Sequence, residues 1–330
     1  MKKCGIIGAG AWGTAISTLI QSKNTKIYIW SRNKKTVKSI NNNNKNEYLK
    51  GIKLPKKLIA TSKLRDLGEC DYFFIATPTQ KTSSIISDLS KFKIKQNFII
   101  CSKGIEIKSG NFLNHVIKKY FNKANIAAMS GPCFADEVAR KLPTAVLLST
   151  KNKIFFNNIN KLINNKNFRL YYSDDILGCQ LGGAIKNVYA IGSGIVNGLK
   201  LGENARSAFI SRSFAEILRL SKKMGAKEKT LIGLSGLGDL ILTCNSKKSR
   251  NTVFGEIIVK NKGKKIINII QNKKTVTEGY YTTKALFNIS KKYKIQMPIL
   301  QSIYNILFLS KRIDKEIKLI LGRRIKKEFY

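Results

Sequence analysis

Between Cys4 and Ala15 the chain reads C-G-I-I-G-A-G-A-W-G-T-A, and the spacing of Gly8, Gly10 and Gly13 restricts its fold more than any other feature. Cys4 to Ile7 is a short apolar strand, the glycines follow as G-x-G-x-x-G, and a helical run continues from Thr14 to about Ser22. Strand, glycine turn and helix are in the order that a dinucleotide-binding unit requires. In such a unit Gly8 permits the tight turn, Gly10 lets backbone approach a pyrophosphate, and Gly13 lets the helix lie on the strand. The helix N-terminus then faces the phosphates with its free N–H groups. The competing reading, Met1-Lys2-Lys3 ahead of an apolar secretory leader, does not account for the glycine spacing. No other stretch is apolar for 18 or more residues, so no membrane insertion is expected.

Lys26 to Trp30 reads as the second strand. An NAD-selective site keeps an acid there, roughly 20 residues beyond the glycines, for the ribose hydroxyls. This chain has Ser31-Arg32-Asn33 instead. Arg32 can pair with a 2′-phosphate and no carboxylate repels it, which favours NADPH over NADH; the alternative is an arginine that merely solvates a strand end. Further strands are expected at Tyr72–Ala76, Asn97–Cys101, Ile126–Met129 and Thr144–Leu148, with helical stretches between several of them. The pattern predicts an α/β fold, a doubly wound parallel sheet of Rossmann type. The turns Thr77-Pro78-Thr79, Ser102-Lys103-Gly104 and Ser130-Gly131-Pro132-Cys133-Phe134-Ala135 follow strand ends and should line its cleft. After about residue 172 strand signals largely vanish and long helical segments begin with Asp174 to Leu199. The 330 residues therefore divide into a dinucleotide-binding domain, 1–172, and an all-α substrate and catalytic domain, 173–330.

Composition narrows the chemistry. A single histidine, His115, lies in an ordinary amphipathic helical segment from Phe112 to Tyr120. Ser-His-Asp hydrolysis, histidine-rich metal sites and histidine-based dehydrogenases are disfavoured, so a general base must be Lys, Asp, Glu, Tyr or Cys. The six cysteines are widely spaced without a C-x-x-C pair, so no metal site and no disulfide framework is indicated, and a reducing cytoplasm fits. Lys+Arg at 61 against Asp+Glu at 19 leaves +42. Such a charge suits nucleic acid or anionic membrane, or reflects compositional drift; dispersed lysines among Asn and Ile favour drift, although the field still attracts anionic ligands. With 43% hydrophobic residues the chain is not a disordered polycation.

In the helical half, Gly178 to Gly192 places Lys186 and Asn187 among small, tightly packing residues. Spacing alone leaves two readings open, a buried lysine with a chemical task and a lysine snorkelling from an amphipathic helix. Eight ordered segments carry a resemblance: GAGAWGTA (8–15), SKGIE (102–106), SGPCFADEVA (130–139), QLGGAIKNVYAIGSGI (180–195), LGENARSA (201–208), GLSGLGDLILTC (233–244), SRN (249–251) and TEGY (277–280). Through them the chain resembles the bacterial type of NAD(P)-dependent glycerol-3-phosphate dehydrogenase over nearly its whole length.

The resemblance implies interconversion of dihydroxyacetone phosphate and sn-glycerol 3-phosphate with NADPH or NADH. It makes Lys186 the proton donor and acceptor, with Lys103 and Asp239 beside it. A phosphorylated triose would be met by Lys103, Gly131, Cys133, Lys186, Asn187, Asp239 and Thr243, and its phosphate by Ser249, Arg250 and Asn251. The cofactor would be met by Gly8, Gly10, Ala11, Trp12, Gly13, Arg32, Lys103, Ala135, Arg250, Val276 and Glu278; Glu278 also reads as an ordinary helix N-terminal acid. Lys186 needs a depressed pKa to act as a base, which Lys103 and desolvation would give while Asp239 opposes them. Two positions depart from the family pattern by losing a hydroxyl, Ala11 and Cys133. Ala11 keeps its N–H, so the lost bond costs about 1 kcal/mol; Cys133 is a weaker donor.

The nearest rival is a related lysine-dependent 3-hydroxyacid or 6-phosphogluconate dehydrogenase, against which Gly236 to Asp239 and Ser249 to Asn251 speak. A basic nucleic-acid-binding Rossmann protein without activity is the alternative from another class; Lys186, Lys103 and Asp239 together argue against it. The resemblance further implies a homodimer, no specific nucleic-acid partner, and a role supplying glycerol phosphate for phospholipid synthesis. Met297 to Leu300 opens a last helical region running to Glu328.

Overall fold

The computed structural model describes residues 1–20, 24–261, 266–271, 277–324 and 327. Eight strands, β1 (Lys2–Ile7), β2 (Thr25–Trp30), β3 (Leu58–Thr61), β4 (Tyr72–Ile75), β5 (Asn97–Ile100), β6 (Asn125–Ser130), β7 (Thr144–Ser149) and β8 (Phe168–Ser173), form one sheet in the order β3-β2-β1-β4-β5-β6-β7-β8. Neighbours from β3 to β6 are parallel, as are β7 and β8, but β7 runs antiparallel to β6. The sheet is thus mostly parallel, as expected of a doubly wound fold, with one reversal at β7. A five-residue helix, Ala135–Ala139, is all the helix between β6 and β7, so the chain turns back beside β6 without the crossover that parallel pairing needs. Two strands absent from the sequence reading, β3 and β8, occupy the sheet's outer edges. The first helix runs Ala11–Leu19, three residues earlier at its start than the sequence reading placed it, and Ser22 lies outside the described residues.

Strand residues alternate between two apolar layers, as the two-residue pleat demands. Ile6, Phe74 and Ile99 join the core on one face, while Ile7, Phe73, Ile75, Phe98 and Ile100 join the core on the other. A third core belongs to the helices after Ser173, yet it takes in Ile105 and Phe112 from the connection that follows β5. Its axis is the helix Ile176–Gly198, buried continuously from Gly178 to Ile195. The helix Arg250–Lys260 crosses it at backbone contact: a Cβ on Gly194 would stand 1.9 Å from Thr252 O, and one on Gly255 2.1 Å from Ile191 O. Larger residues at either position would push the two helices apart.

Glu216, on the helix Gly202–Met224, is 1% exposed. It accepts from Ile299 N at 2.7 Å, Leu300 N at 3.1 Å and the Tyr189 hydroxyl at 2.9 Å, capping the helix Pro298–Phe308 and tying it to the central one. Burial pushes its carboxyl up to about 7 against the pull of those three donors. The last helical region is two helices, Pro298–Phe308 and Ile313–Leu321; residues 325, 326 and 328–330 lie outside the described residues. Among the described residues no helix is long and apolar enough to cross a membrane.

Candidate active site

At the glycine turn the three glycines do different things. Gly8 has φ +116°, and a Cβ there would lie 2.7 Å from Ala76 O, so the turn presses against the end of β4. A Cβ on Gly13 would lie 1.9 Å from Gly8 O, which is the helix-on-turn contact. A Cβ on Gly10 would meet nothing within 4 Å beyond its own chain neighbours, leaving the helix N-terminus approachable. No side chain caps that terminus, and Trp12 Nε1 beside it is buried without a partner. Free N–H groups, open space and an unpaired indole donor fit a dinucleotide pyrophosphate at Gly10, Ala11 and Trp12.

Arg32 is exposed just beyond β2. The next residue, Asn33, caps the helix Lys34–Asn43 by accepting from Lys35 N at 2.9 Å, so an amide and not an acid follows Arg32. Ala135 opens the helix Ala135–Ala139 and packs on the core that includes β1. Glu278 opens the helix Glu278–Lys292 and reaches into the nucleotide-binding half, where Oε1 accepts from Thr79 N at 3.0 Å. Burial raises its pKa, with the Thr79 amide and the Arg250 cation opposing. Val276 lies outside the described residues.

Where the turns after β5 and β6 meet the helical half, one carboxylate joins two ammonium groups. Asp239, fully buried, begins the helix Asp239–Asn245 directly after a π-helical turn, Leu234–Gly238, that packs against Gly182 of the central helix. Lys186 Nζ donates to Asp239 Oδ1 and, at 2.8 Å, to Thr243 Oγ1, with its side chain 9% exposed. Lys103 Nζ donates to Asp239 Oδ2 at 2.6 Å and to Gly131 O at 3.1 Å. Thr243 donates its own hydroxyl hydrogen bond to Asp239 O at 2.6 Å, which leaves a lone pair for Lys186. Lys186 is therefore a buried, ion-paired lysine and does not snorkel to the surface.

Sharing has opposite consequences for the two lysines. Burial lowers Lys186 below the ordinary lysine value; Asp239 pulls it back up, and the Lys103 cation adds to the lowering. Lys103 is also penalised by burial, but the Asp239 carboxylate outweighs this and holds it firmly protonated. Cys133, half-buried beside them, has its thiol pushed up by burial, with both lysines opposing. Gly131 needs its missing side chain, because a Cβ would stand 2.9 Å from Val146 Cα.

At the other end of the cleft Ser249 caps the helix Arg250–Lys260, its Oγ accepting from Thr252 N at 3.2 Å. Asn251 is committed within the protein: its Nδ2 donates to Asn187 Oδ1 at 2.9 Å and its Oδ1 accepts from Gly279 N at 3.0 Å. Arg250 is exposed at this helix start, within electrostatic reach of Glu278. Among the described residues no group of His, Cys, Asp or Glu is arranged to hold a metal ion.

Comparison with known proteins covers nearly the whole chain. Residues 3–155 match the family model for the N-terminus of NAD-dependent glycerol-3-phosphate dehydrogenase, and residues 175–318 match the model for its C-terminus. The chain belongs to this family. It is 38% identical to a glycerol-3-phosphate dehydrogenase [NAD(P)+] of Parvibaculum lavamentivorans across 99% of this chain and 98% of that protein. A protein of the same description from Zymomonas mobilis is 40% identical across 98% of this chain and 94% of its own length. The crystal structure of glycerol-3-phosphate dehydrogenase from Coxiella burnetii superposes with a TM-score of 0.92 at 33% identity, covering 98% of this chain and 99% of that one.

Set within this family, the site also contains residues to which the sequence alone assigned no individual role. Lys248 Nζ reaches across to Asp136 at 3.1 Å and Glu137 at 2.7 Å, linking the loop before Ser249 to the helix that Ala135 opens. Ser130 is 4% exposed with an unpartnered hydroxyl, and its Oγ would be 2.5 Å from a Cβ on Gly183. Thr79 gives its N–H to Glu278. Thr79 and Ser130 were signalled only by their place at the carboxyl ends of β4 and β6. Lys248, one lysine among many, carried no signal at all.

Proposed function

We propose that this family member performs its proton chemistry at Lys186, with Asp239 and Lys103 setting the charge of that lysine. The chain is an NAD(P)-dependent oxidoreductase of the glycerol-3-phosphate dehydrogenase family, interconverting dihydroxyacetone phosphate and sn-glycerol 3-phosphate. The supporting observation is the Asp239 carboxylate held between Lys186 and Lys103, out of water. A dinucleotide would be held by its pyrophosphate at Gly10, Ala11 and Trp12, and its nicotinamide would supply or accept the hydride at C2 of the substrate. In the reducing direction the Lys186 ammonium gives its proton to the substrate oxygen as the carbonyl becomes an alcohol. In the oxidising direction neutral Lys186 takes the hydroxyl proton, and its lowered pKa makes that form accessible.

The other assignments follow from position. Lys103 stays charged and faces the substrate together with Gly131, Cys133, Asn187 and Thr243. Arg250, with the N–H groups that begin the helix after Ser249, receives the substrate phosphate, while Asn251 holds Asn187 in place. Gly8, Gly10, Ala11, Trp12 and Gly13 hold the pyrophosphate, Arg32 favours NADPH, and Ala135, Val276 and Glu278 complete the cofactor contacts. Residues 1–172 then serve the dinucleotide and residues 173–330 the substrate. The physiological part of this reading is a homodimer in a reducing cytoplasm, supplying glycerol phosphate for phospholipid synthesis; six free cysteines support that compartment.

The test is the loss of nicotinamide absorbance when the purified protein meets dihydroxyacetone phosphate with NADPH or NADH, using unphosphorylated dihydroxyacetone as control. Oxidation that requires the phosphate, faster with NADPH, is expected. No oxidation by folded protein with either cofactor would overturn the reading.

A further inference from the structure

Lys103 lies in a stretch, 101–112, that contains neither helix nor strand, yet its ammonium meets Asp239 at 2.6 Å. Backbone without a ladder of its own keeps such a position only where other groups tie it down. At the entrance, the Ser102 hydroxyl donates to Thr77 O at 2.6 Å. At the exit, Ile105 and Phe112 are buried in the core of the helical half. Between these two lies Gln80, the second residue of the helix Thr79–Leu89. Its Nε2 donates to Ile105 O at 2.7 Å and its Oε1 accepts from Ile107 N at 3.0 Å. One planar amide thus satisfies an acceptor and a donor two residues apart, as a paired strand would. The helix that carries Gln80 follows β4 directly, so these bonds fix the loop to the nucleotide-binding sheet while its apolar residues fix it to the helical half.

We propose that Gln80 is a positioning residue for catalysis: its amide holds the Lys103 loop where Lys103 meets Asp239, and so controls turnover without touching substrate or cofactor. The proposal rests on the reading of Lys103, Asp239 and Lys186 given above. The charged and titratable groups facing Lys186 are Asp239, Lys103, Cys133 and Cys244. When the loop slackens, Lys186 loses a repelling cation and gains a less divided carboxylate. Both changes favour its protonated form, so the rise of glycerol 3-phosphate oxidation with pH moves to higher pH. General loss of packing lowers the amount of active enzyme but leaves the position of that rise unchanged.

The experiment is the pH profile of kcat/KM for glycerol 3-phosphate oxidation in the parent, Gln80→Met, Lys103→Met and the double variant. Gln80→Met is expected to lose on the order of tenfold to a hundredfold in kcat. Its profile should move alkaline, and the double variant should move no further than Lys103→Met alone. If Lys103→Met shifts the profile and Gln80→Met does not, the role of Gln80 is refuted and the reading of Lys103 stands. If Lys103→Met itself leaves the profile in place, the underlying reading fails. Should Gln80→Met not accumulate as folded protein, Gln80→Ala, which also lacks both bonds, is held to the same criterion.

Discussion

Replacing Asp239 with asparagine is the sharpest test of how the site balances charge. The side chain keeps its shape, but one of two oxygens that face ammonium groups becomes an NH2, a donor set against a donor. Asp239 is fully buried, and the Lys186 and Lys103 side chains are 9% and 16% exposed, so water can replace little of what is lost. At an effective dielectric near 20, a unit charge pair at about 4 Å is worth about 4 kcal/mol, and breaking a buried pair typically costs about 3–5 kcal/mol. Against a native stability of about 5–15 kcal/mol, the variant should fold but unfold at visibly lower temperature. Part of the cost is relieved if one lysine gives up its proton. Lys186, already below the ordinary lysine value, is the one to do so.

The kinetic consequence has a definite sign. With Asp239 gone, the pKa of Lys186 falls further, so the rise of oxidation with pH moves to lower pH, opposite to the shift expected for Lys103→Met. At neutral pH kcat/KM should fall by about 10²–10⁴, the range that general acid–base groups supply. The loss appears in both directions, because at fixed pH the reaction equilibrium ties them together. Steady-state nicotinamide absorbance across a pH series, with thermal unfolding of the same samples, reads both quantities. A profile that stays in place or moves alkaline would refute the argument that Asp239 sustains the proton on Lys186.

Three further outcomes follow from the same geometry. Lys186→Ala should lower kcat by about 10²–10⁴ while nicotinamide fluorescence still reports cofactor binding near the parental level; near-normal turnover would remove Lys186 from the chemistry. Arg32→Asp should raise the KM for NADPH about tenfold to a hundredfold and that for NADH much less, since a charge-assisted contact is worth about 1.5–3 kcal/mol; equal losses would show that Arg32 does not read the 2′-phosphate. Glu216, raised in the folded state to about 7 from 4.5, binds a proton there that the unfolded chain has released. Its contribution to stability is therefore lost as pH rises between those values, by up to roughly 3 kcal/mol. Glu216→Gln lacks this slope, so thermal unfolding should show the variant gaining on the parent from pH 4.5 to 8, and a constant gap would contradict it.

How much the sequence discloses depends on how local each feature is. The glycine turn is legible because Gly8, Gly10 and Gly13 act within one strand, one turn and one helix. Lys186 stays ambiguous on spacing alone because its decisive partners, Asp239 and Thr243, lie 53 and 57 positions away. Lys103 is farther still, 136 positions from the carboxylate it shares, and only the assembled fold brings them together. Edge strands are hard to see for another reason. β3 is four residues long, and β8 buries Phe168 and Leu170 but exposes Arg169, Tyr171 and Tyr172, so each gives a weak apolar signal. The reversal at β7 leaves no mark in the strand's own residues, since direction is set by the connection. Resemblance named most of the proposed site, but it could not show that Ser249 spends its hydroxyl on a helix cap or that Asn251 is spent on Asn187 and Gly279.

A carboxylate shared by two lysines solves a problem that neither a full pair nor an isolated lysine solves. If Lys186 had a carboxylate to itself, burial would be offset and the lysine locked as a cation, a good acid that could not return as a base. Without a carboxylate, burial would strip its proton and leave no acid for reduction. Lys103 takes one oxygen of Asp239 and is held charged, so Lys186 keeps the other with a like charge beside it, and its pKa settles below the ordinary value. Two ammonium groups and one carboxylate also leave the cluster with a net positive charge, which on the proposed reading faces a substrate whose phosphate is anionic. Substrate charge therefore adds to Asp239 in favouring the Lys186 proton, whereas an alcohol without phosphate would not. Phosphate recognition and proton transfer are coupled through that charge, and the unphosphorylated control substrate should lose kcat as well as affinity.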